Sequence, residues 1–306
     1  MSLALPEKPT LYFIGVTTGS SSIMKVFPKW SEIMGLGAQI VGYDAPLNAP
    51  AATYRRIVKH IKENDMARGA LVTTHKLDLY EASKDLFDTF DPYAKLCAEV
   101  SCISKREGKL IGHAKDPITS GLALEAFISK DHWHKTDAQV LCFGAGGAAV
   151  AISLYLSGLE KPPKKMTIVD ISEERLKHLK SIHKKLEPAT EFDYVLSQDS
   201  LKNDALLESQ ASQSLIINAT GMGKDRPGSP LSDRAEFPEK AVVWELNYRG
   251  ELDFYHQAKA QEAAKNLQVE NGWVYFLHGW TQIIAEVFQV ELTLELFKRL
   301  DEAAAS

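Results

Sequence analysis

The sequence predicts an α/β protein made of two successive α/β domains and closing helices. Short apolar runs alternate with helical segments, which is the pattern of a mostly parallel sheet. A glycine turn at residues 144–149 directly follows one apolar run and opens a helix. A polar stretch at 130–137 interrupts the alternation, which restarts after it. We therefore expect a domain boundary in this region.

The first domain begins with three strands that are separated by two helices. The strands are expected at 11–17, 38–43 and 67–73, and the helices at 23–34 and 51–64. Residues 78–97 follow as a helix, and 100–106 with 109–113 form a hairpin around a Glu-Gly turn. Lys76 comes just after the third strand, at the end where open α/β sheets place their ligands.

The second domain is expected to start after a helix at 121–130. Strands are predicted at 138–143, 166–170, 194–196, 214–218 and 241–246, with helices at 147–158 and 172–187. Two helices, at 253–265 and 273–297, close the chain. We place the domains at 1–125 and 126–272, followed by C-terminal helices at 273–306.

Composition and charge exclude several classes of protein. The chain is 45% hydrophobic and 25% charged, as in soluble globular proteins. A net charge of −5 provides no basic surface for nucleic acid or anionic lipid. The three cysteines include no C-x-x-C pair, which argues against a disulfide framework or a zinc site. The sequence shows no signal-peptide pattern and no apolar run long enough to span a membrane. We expect a cytoplasmic protein with no metal, no membrane segment and no nucleic-acid partner.

The glycine turn predicts a dinucleotide-binding (Rossmann) domain. In G-x-G-x-x-A form, the first glycine permits a tight turn, the second lets the backbone approach a pyrophosphate, and the alanine allows close helix packing. The residues expected to contact the dinucleotide are Gly144, Gly146, Gly147, Ala148 and Ala149. The alternative is a glycine turn that serves packing alone.

An acidic residue at the end of the next strand bears on the choice of dinucleotide. Asp170 lies 26 residues after Gly144, near the spacing of a carboxylate that binds the adenosine ribose. Such a carboxylate accepts hydrogen bonds from the ribose diol and repels a 2′-phosphate. We therefore expect NAD as the cofactor, with NADP disfavoured; a surface acid without this role is the alternative.

A second glycine-containing loop follows the strand at 214–218. Asn218, Thr220, Gly221 and Met222 lie where a nicotinamide would cross the ends of the strands, and glycine gives this backbone its freedom. An ordinary turn from strand to loop would show the same pattern. Both interpretations stay open from the sequence.

These motifs together resemble the shikimate dehydrogenase family. Residues 144–149 and 218–223 are close to the family pattern, whereas 69–76 and 112–116 match it more loosely. The resemblance implies a substrate-binding first domain, a Rossmann cofactor domain and C-terminal helices that return to the first domain. It also implies that Lys76 is a general acid/base and that Asp116 is its partner, because alcohol oxidation requires a positioned base.

The resemblance implies further substrate-binding residues, which match less evenly. Ser21 corresponds to the first serine of a segment that holds a substrate carboxylate, whereas Ile23 replaces the second serine. Ser22 could compensate for it. The remaining candidates are Thr73, Tyr248 and Gln282. Tyr248 could instead pack as a strand-end aromatic residue, and Gln282 could be an exposed helical residue.

Several positions depart from the family pattern. Leu71, Ser101 and Ala114 stand where the family commonly offers asparagines to ring hydroxyls, and His75 replaces a proline. A site that loses hydrogen-bond partners for a substrate hydroxyl changes its specificity strongly. The identity of the substrate therefore stays open.

The sequence thus predicts an NAD-dependent dehydrogenase for a shikimate-like or quinate-like hydroxy acid, or a related small alcohol. A different class of function is also open, namely a non-catalytic NAD-binding sensor or interaction protein. A third interpretation is a biosynthetic enzyme that acts on an amino-substituted ring. A monomer and a homodimer are equally compatible with the sequence.

Overall fold

The computed structural model describes residues 3–129, 131–224 and 226–305. The chain divides into two compact units, residues 1–115 with 279–306 and residues 116–278. Each unit contains one six-stranded sheet, so the predicted α/β fold class is confirmed. The domain limits that we expect after residues 125 and 272 stay a prediction.

Residues 10–113 of the first unit alternate between strands and helices. The strands are β1 (Thr10–Gly15), β2 (Gln39–Asp44), β3 (Ala67–Val72), β4 (Thr89–Phe90), β5 (Cys102–Arg106) and β6 (Lys109–His113). The helices are α1 (Ile23–Ile33), α2 (Ala51–Glu63), α3 (Lys76–Ser83) and α4 (Pro92–Cys97). The sheet order is β2-β1-β3-β5-β6-β4, and β5 runs antiparallel to its neighbours.

The single helix predicted at 78–97 is wrong. The structure has α3, a short 3-10 turn, β4 and α4 in this region. Asp91 starts α4, since its carboxylate accepts a hydrogen bond from the Ala94 amide and Pro92 occupies the first helical turn. An N-cap followed by proline is therefore the signal that divides this segment.

The second unit has a fully parallel sheet. Its strands are β7 (Val140–Phe143), β8 (Lys165–Asp170), β9 (Glu191–Leu196), β10 (Leu215–Asn218), β11 (Val242–Glu245) and β12 (Gln268–Glu270). Its helices are α5 (Asp116–Glu125), α6 (His132–Lys135), α7 (Gly147–Ser157), α8 (Glu173–Leu186), α9 (Ser200–Glu208) and α10 (Asp253–Lys265). The strand order β12-β11-β10-β7-β8-β9 is that of a Rossmann domain.

Two further helix predictions need correction. The helix expected at 121–130 begins earlier, at Asp116, and ends at Glu125, while residue 130 lies outside the described residues. The helix expected at 273–297 is two helices, α11 (Trp273–Phe288) and α12 (Leu294–Ala305). The chain turns between them at Gln289, whose φ is 56°, and the Thr293 hydroxyl accepts from the Leu296 amide to start α12.

Each sheet has its own apolar core. In the first unit, Tyr54, Ile57 and Ile61 on α2 belong to the cluster that covers β1 and β3. In the second unit, Phe143 and Phe254 belong to the cluster that covers β7, β10 and β11. These cores hold the strands in register, so that the segments following each strand have defined positions. No helix among the described residues is long and apolar enough to cross a membrane.

A buried histidine joins α8 to its neighbours in the second unit. His183 Nε2 lies 2.7 Å from Ser153 Oγ, and Nδ1 lies 2.7 Å from Tyr194 Oη. Ser153 donates its own hydrogen to the Val150 carbonyl, so it accepts from Nε2–H, and Nδ1 accepts from Tyr194. A neutral imidazole satisfies this arrangement. Burial lowers the pKa of His183 to about 4.

The His183→Gln substitution should make the protein less sensitive to acid. Because the pKa of His183 is about 4 when folded and 6.5 when unfolded, the unfolded state binds more protons between these values. The free energy of unfolding therefore falls as the pH decreases from about 6.5 to about 4, by about 3 kcal/mol from this residue. Urea unfolding at a series of pH values measures this loss, which should be smaller in the variant.

His178→Gln is the matched control, since His178 lies exposed on the same helix. Its pH profile of stability should match that of the unmodified protein. An acid sensitivity that is unchanged in His183→Gln would contradict the assignment of this loss to His183.

Candidate functional site

The glycine turn after β7 leaves open space in front of α7. Gly144 has a φ of 103°, and a Cβ there would lie 2.6 Å from the Ala219 carbonyl oxygen, so this position requires glycine. A Cβ at Gly146 or Gly147 would meet no atom within 4 Å. The amino end of α7 therefore faces a space that can receive an anionic group. Ala149 is fully buried, as expected for close helix packing.

The carboxylate of Asp170 holds this turn in place. Its Oδ2 accepts from the Ala145 amide at 2.6 Å, and its Oδ1 accepts from the Ser172 amide at 2.7 Å. Its charge acts on the adjacent strand, because burial and then Asp170 raise the pKa of the Cys142 thiol to about 12. The sequence predicted a ribose contact here; the structure adds a role in shaping the loop.

The residues directly after Asp170 present no basic group before Arg175, the third residue of α8. Ile171 is 53% exposed, and Ser172 caps the helix by accepting from the Arg175 amide at 3.3 Å. Glu173 and Glu174 then occupy exposed positions in the first turn. The surface beside Asp170 is thus apolar and acidic until Arg175.

The loop after β10 is folded by its own side chains. The Thr220 amide and hydroxyl both donate to Asn218 Oδ1, at 3.2 and 2.6 Å. The Met222 amide donates to Thr220 Oγ1 at 3.1 Å. Gly221 and Gly223 have φ of 77° and 83°, a region that favours glycine. Asn218 and Thr220 therefore shape the loop, whose backbone is left to meet a ligand.

The carboxylate under this loop was not among the site residues predicted from the sequence. Glu245, the last residue of β11, is 0% exposed and accepts from Asn218 Nδ2 at 2.6 Å. It also accepts from the Asn247 amide and side chain, at 2.8 and 2.7 Å. Burial raises the pKa of Glu245 to about 7, although these hydrogen bonds oppose the shift. An acid that ends a strand of apolar residues was the available signal.

Lys76 lies just beyond β3 in the first unit, as the first residue of α3. The Thr73 amide donates to the Ile14 carbonyl at 2.9 Å, which ties this segment to β1. Thr74 has a φ of 60°, an uncommon conformation for a β-branched residue. A constrained turn therefore determines where Lys76 begins the helix.

Two adjacent residues before β5 connect the segments that carry the predicted catalytic pair. The Val100 amide donates to the Lys76 carbonyl at 3.2 Å. Ser101 Oγ accepts from the amide of Lys115, the residue before Asp116, at 2.8 Å. Strands β3 and β6 run in the same direction on either side of β5, so both segments leave the same edge of the sheet.

His75 fixes the turn that precedes Lys76. It is 1% exposed, and its Nε2 lies 3.0 Å from the Ala45 carbonyl oxygen, which can only accept a hydrogen. Nε2 therefore carries the hydrogen, and Nδ1 accepts from Tyr54 Oη at 3.0 Å. Burial and the Asp78 carboxylate raise the pKa of Tyr54, which keeps this hydroxyl protonated. A buried histidine thus stands where the resemblance implies a proline.

The serine candidates lie in the turn before α1, near an acidic side chain. The Ser21 amide donates to the Thr18 carbonyl, and Ser22 directly precedes the helix. The Thr18 amide and hydroxyl both donate to Asp44 Oδ1, at 2.8 and 2.6 Å. Asp44 is exposed, so a carboxylate faces solvent beside the segment expected to bind a substrate carboxylate.

Gln282 lines a cavity of about 530 Å³ in the first unit. Lys115 and Glu286 line it too, with Lys115 Nζ 2.6 Å from Glu286 Oε2. Arg106 also contacts Glu286, at 3.0 Å. Burial opposes ionisation of Glu286, but Lys115, His113 and Arg106 outweigh it and lower its pKa. Gln282 therefore lies one helical turn from a charge-paired cluster.

Tyr248 packs among aromatic residues in the second unit. Its ring lies 4.7 Å from that of Phe276 and 5.7 Å from that of Trp273, measured between centroids. The guanidinium of Arg249 lies 5.9 Å from the same ring. This environment agrees with the alternative expectation for Tyr248, namely that it packs as a strand-end aromatic residue. Contact of Tyr248 with a substrate stays a prediction.

The structure divides the predicted site residues between the two units. The first unit contains Lys76, Ser21, Ser22, Thr73 and Gln282. The second contains Asp116, Tyr248 and all the residues predicted to bind the dinucleotide. All the residues predicted to bind the cofactor therefore belong to one unit. Among the described residues, no cluster of histidine, cysteine, aspartate and glutamate has the arrangement of a metal site.

The fold and the glycine loop define the class of protein: an α/β protein with a Rossmann dinucleotide-binding unit. The shikimate dehydrogenase (NADP(+)) of Lactococcus lactis subsp. lactis strain IL1403 is 30% identical over 223 residues, 71% of each chain. The enzyme of the same name from L. lactis subsp. cremoris strain MG1363 is 29% identical over 222 residues, again 71% of each. No family model matches the chain.

Solved structures share the fold over almost the whole chain. Shikimate 5-dehydrogenase from Listeria monocytogenes, in complex with shikimate and NAD, has a TM-score of 0.74 at 17% identity, covering 98% of this chain and 99% of its own. Quinate dehydrogenase from Corynebacterium glutamicum, in complex with NAD, has 0.73 at 16%, covering 97% and 98%. 5-Ketofructose reductase of Gluconobacter has 0.69 at 18%, covering 97% and 98%.

This chain belongs to the shikimate dehydrogenase family. The resemblance stated from the motifs is therefore confirmed, as is the Rossmann-type fold. The family consists of oxidoreductases that act on CH–OH donors with NAD or NADP as acceptor. The likeness to the solved structures concerns the fold alone.

Two glycine substitutions should separate loop folding from ligand binding. Gly146→Ala adds a methyl group to open space at a φ of −79°, so stability should change by less than about 1 kcal/mol. The same methyl group would occupy the space expected for a pyrophosphate, so the Kd for NAD should rise at least about tenfold. Thermal unfolding and calorimetric titration with NAD measure the two effects.

Gly144→Ala is the comparison, since its Cβ would overlap the Ala219 carbonyl. It should lower stability by about 2 kcal/mol or more. Unchanged NAD affinity in Gly146→Ala would contradict the placement of the pyrophosphate at this loop.

Proposed function

We propose that this protein is an NAD-dependent dehydrogenase with Lys76 as general acid/base and Asp116 as its partner. The observation that carries the proposal is the pair of hydrogen bonds from Val100 and Ser101. They hold the backbone of Lys76 and of Lys115, the residue before Asp116, at one edge of the first sheet. Lys76 and Asp116 are the positions where the family resemblance implies the catalytic pair.

The second unit fits a nicotinamide dinucleotide. A pyrophosphate would lie on the amides at the start of α7, in the space in front of Gly146 and Gly147. Asp170 would receive the adenosine ribose, and the backbone of 219–223 would meet the nicotinamide. When bound, the cofactor supplies a hydride acceptor or donor, depending on the direction of the reaction.

Lys76 would handle the proton that accompanies hydride transfer. In alcohol oxidation the neutral amine of Lys76 takes the proton of the substrate hydroxyl, and in reduction the ammonium returns it. The carboxylate of Asp116 would orient the amine and stabilise its charged form. His75 contributes by fixing the turn before Lys76 through Ala45 and Tyr54.

The preference for NAD rests on the surface beside Asp170. A 2′-phosphate would meet the Asp170 carboxylate, the apolar side chain of Ile171, and Glu173 and Glu174, the first two residues of α8. Repulsion between these carboxylates and the negatively charged 2′-phosphate would disfavour the binding of NADP. The named relatives use NADP(+), so this surface is where the present chain would differ from them.

The substrate we propose is a small hydroxylated compound other than shikimate itself. Leu71 and Ala114 are buried and offer no amide to a ring hydroxyl, and Ser101 Oγ is taken by Lys115. A hydroxy acid such as quinate agrees with the family resemblance. A neutral polyol or ketose is the second candidate, because the exposed Asp44 carboxylate beside the serine segment would repel a substrate carboxylate.

The first experiment follows nicotinamide reduction or oxidation with NAD and NADP against shikimate, quinate, neutral polyols and ketoses. Lys76→Ala should lower kcat by about 100- to 10,000-fold, because it removes the proton acceptor, and should leave the Kd for NAD unchanged. Lys84→Ala is the control, an exposed lysine just after α3. NAD binding without turnover of any compound would favour the non-catalytic sensor.

Cofactor preference can be tested separately with Ile171→Arg. A guanidinium at this exposed position can pair with a 2′-phosphate, so the Kd for NADP should fall at least about fivefold while that for NAD stays within twofold. Leu186→Arg, at the other end of α8, is the matched control and should change neither. If the unmodified protein binds NADP more tightly than NAD, the preference proposed from Asp170 is wrong.

A further inference from the structure

The proposed mechanism makes no use of Glu245, a fully buried carboxylate of the second unit. It lies at the end of β11, next to the end of β10, where the loop 219–223 begins. Its two oxygens accept hydrogen bonds from Asn218 Nδ2, the Asn247 amide and Asn247 Nδ2. Burial of a carboxylate is costly unless hydrogen bonds satisfy its oxygens, and these three donors do so.

The carboxylate decides which way the Asn218 side chain points. A carboxylate can only accept hydrogen bonds, so the amide nitrogen of Asn218 must face Glu245. The oxygen of Asn218 then faces the other way, where it accepts from the Thr220 amide and hydroxyl. If the Asn218 amide were reversed, its NH₂ group would face the two donors of Thr220, the backbone amide and the hydroxyl.

The orientation of the Asn218 side chain also fixes the hydrogen bonds of the following loop residues, Thr220 and Met222. Thr220 uses its hydrogen to donate to Asn218, so its oxygen is left to accept from the Met222 amide at 3.1 Å. On the other side, Asn247 Nδ2 donates to Glu245 and to the Met222 carbonyl, the latter at 3.1 Å. Both peptide groups of Met222 are therefore bound to side chains that Glu245 orients.

We propose that Glu245 is a positioning residue that sets the loop 219–223 for the nicotinamide end of the dinucleotide. It touches neither substrate nor cofactor, and it acts through Asn218 and Asn247. The inference rests on the proposed function of this loop in nicotinamide binding. It extends that function by naming the group on which the shape of the loop depends.

The same geometry makes nicotinamide binding depend on pH. A proton on Glu245 turns one acceptor into a donor, for which Asn218 must present its oxygen, so the amide reverses and the bonds to Thr220 are lost. Burial places the pKa of Glu245 at about 7. The anionic form, which orders the loop, therefore dominates above this pH and is lost below it.

Neighbouring elements supply little charge to this site. β10 carries no ionisable side chain, and β12 carries one, Glu270, paired in register with Trp244 rather than Glu245. Helix α10 packs on this part of the sheet through the apolar residues Phe254 and Ala258. Its first residue, Asp253, is acidic, and the Asp253 amide adjoins Gly223 of the loop. Tyr275 on α11 contacts the ring of Trp244. The pKa shift of Glu245 arises from burial and from its hydrogen bonds to Asn218 and Asn247, so we expect the titration to be that of Glu245 itself.

The test compares NAD with ADP-ribose, which shares every group except the nicotinamide. Calorimetric titration of the full chain from pH 6.0 to 8.5 should show NAD binding about tenfold more tightly at the upper end, while the Kd for ADP-ribose stays constant. Glu245→Gln should bind NAD about tenfold more weakly at pH 8.5, without pH dependence, because its amide favours the reversed Asn218. ADP-ribose binding should be unchanged.

The controls separate positioning from general damage. Glu270→Gln removes the acid of the neighbouring strand and should behave as the unmodified protein. Glu245→Asp keeps the carboxylate and should restore the pH dependence. If Glu245→Gln does not fold, Thr220→Val is the substitute test. It removes the hydrogen bond from the Thr220 hydroxyl to Asn218, so NAD affinity should fall about tenfold and lose its dependence on pH.

Two results would overturn the inference. One is a Glu245→Gln variant that binds NAD as the unmodified protein does at every pH. The other is an equal loss of NAD and ADP-ribose affinity, which would mean general disruption of the unit. An unmodified protein that binds neither compound would instead refute the proposed function, and the inference with it.

Discussion

The hydrogen bond from the Ala145 amide to the Asp170 carboxylate is the constraint on which the second unit depends. Gly144 adopts a φ of 103°, its amide donates to the Val169 carbonyl, and the next amide, that of Ala145, donates to Asp170. The turn is thus held by β8, while Ala219 after β10 closes against it from the other side. Because the turn packs against Ala219 on one side, the amino end of α7 at Gly146 and Gly147 faces open space on the other.

The two units use the same physical device at the ends of their strands. In each, a polar side chain from a neighbouring segment binds the backbone that follows a strand, as Ser101 does for Lys115 and Asp170 does for Ala145. Such bonds satisfy backbone groups that a sheet leaves unpaired at its edge. They allow short segments to keep a defined conformation without secondary structure of their own.

The sequence was sufficient for the fold class and for most of the elements. Alternation of apolar runs located the strands of the two sheets except the short β4 and β12, and glycine spacing located the turn after β7, because both signals are local. Helix limits were less certain: α3, β4 and α4 appeared as one helix, since the cap at Asp91 is a single residue within a helical pattern. α11 and α12 were merged because nothing in the composition marks Gln289.

The candidate site was predictable only where its residues belong to a motif. The glycines and Asp170 stand at fixed spacings, so the sequence located them. Glu245 and the bonding of His75 depend on partners far away in the chain, Asn218 and Ala45, which no local pattern relates to them. The position of Asp44 beside the serine segment likewise depends on a distant partner, Thr18. Contacts between distant segments determine these roles, and spacing does not encode them.

The position of Cys142 has a consequence for redox chemistry. This thiol lies in β7 directly below the glycine turn, is fully buried, and has a pKa of about 12. Oxidants and alkylating reagents attack the thiolate, which is scarcely populated here at neutral pH. Cys97 and Cys102 are buried too. The Cys142 thiol of the second unit is therefore protected from oxidants and alkylating reagents, and a cysteine introduced at the surface would be the preferred site for a covalent probe.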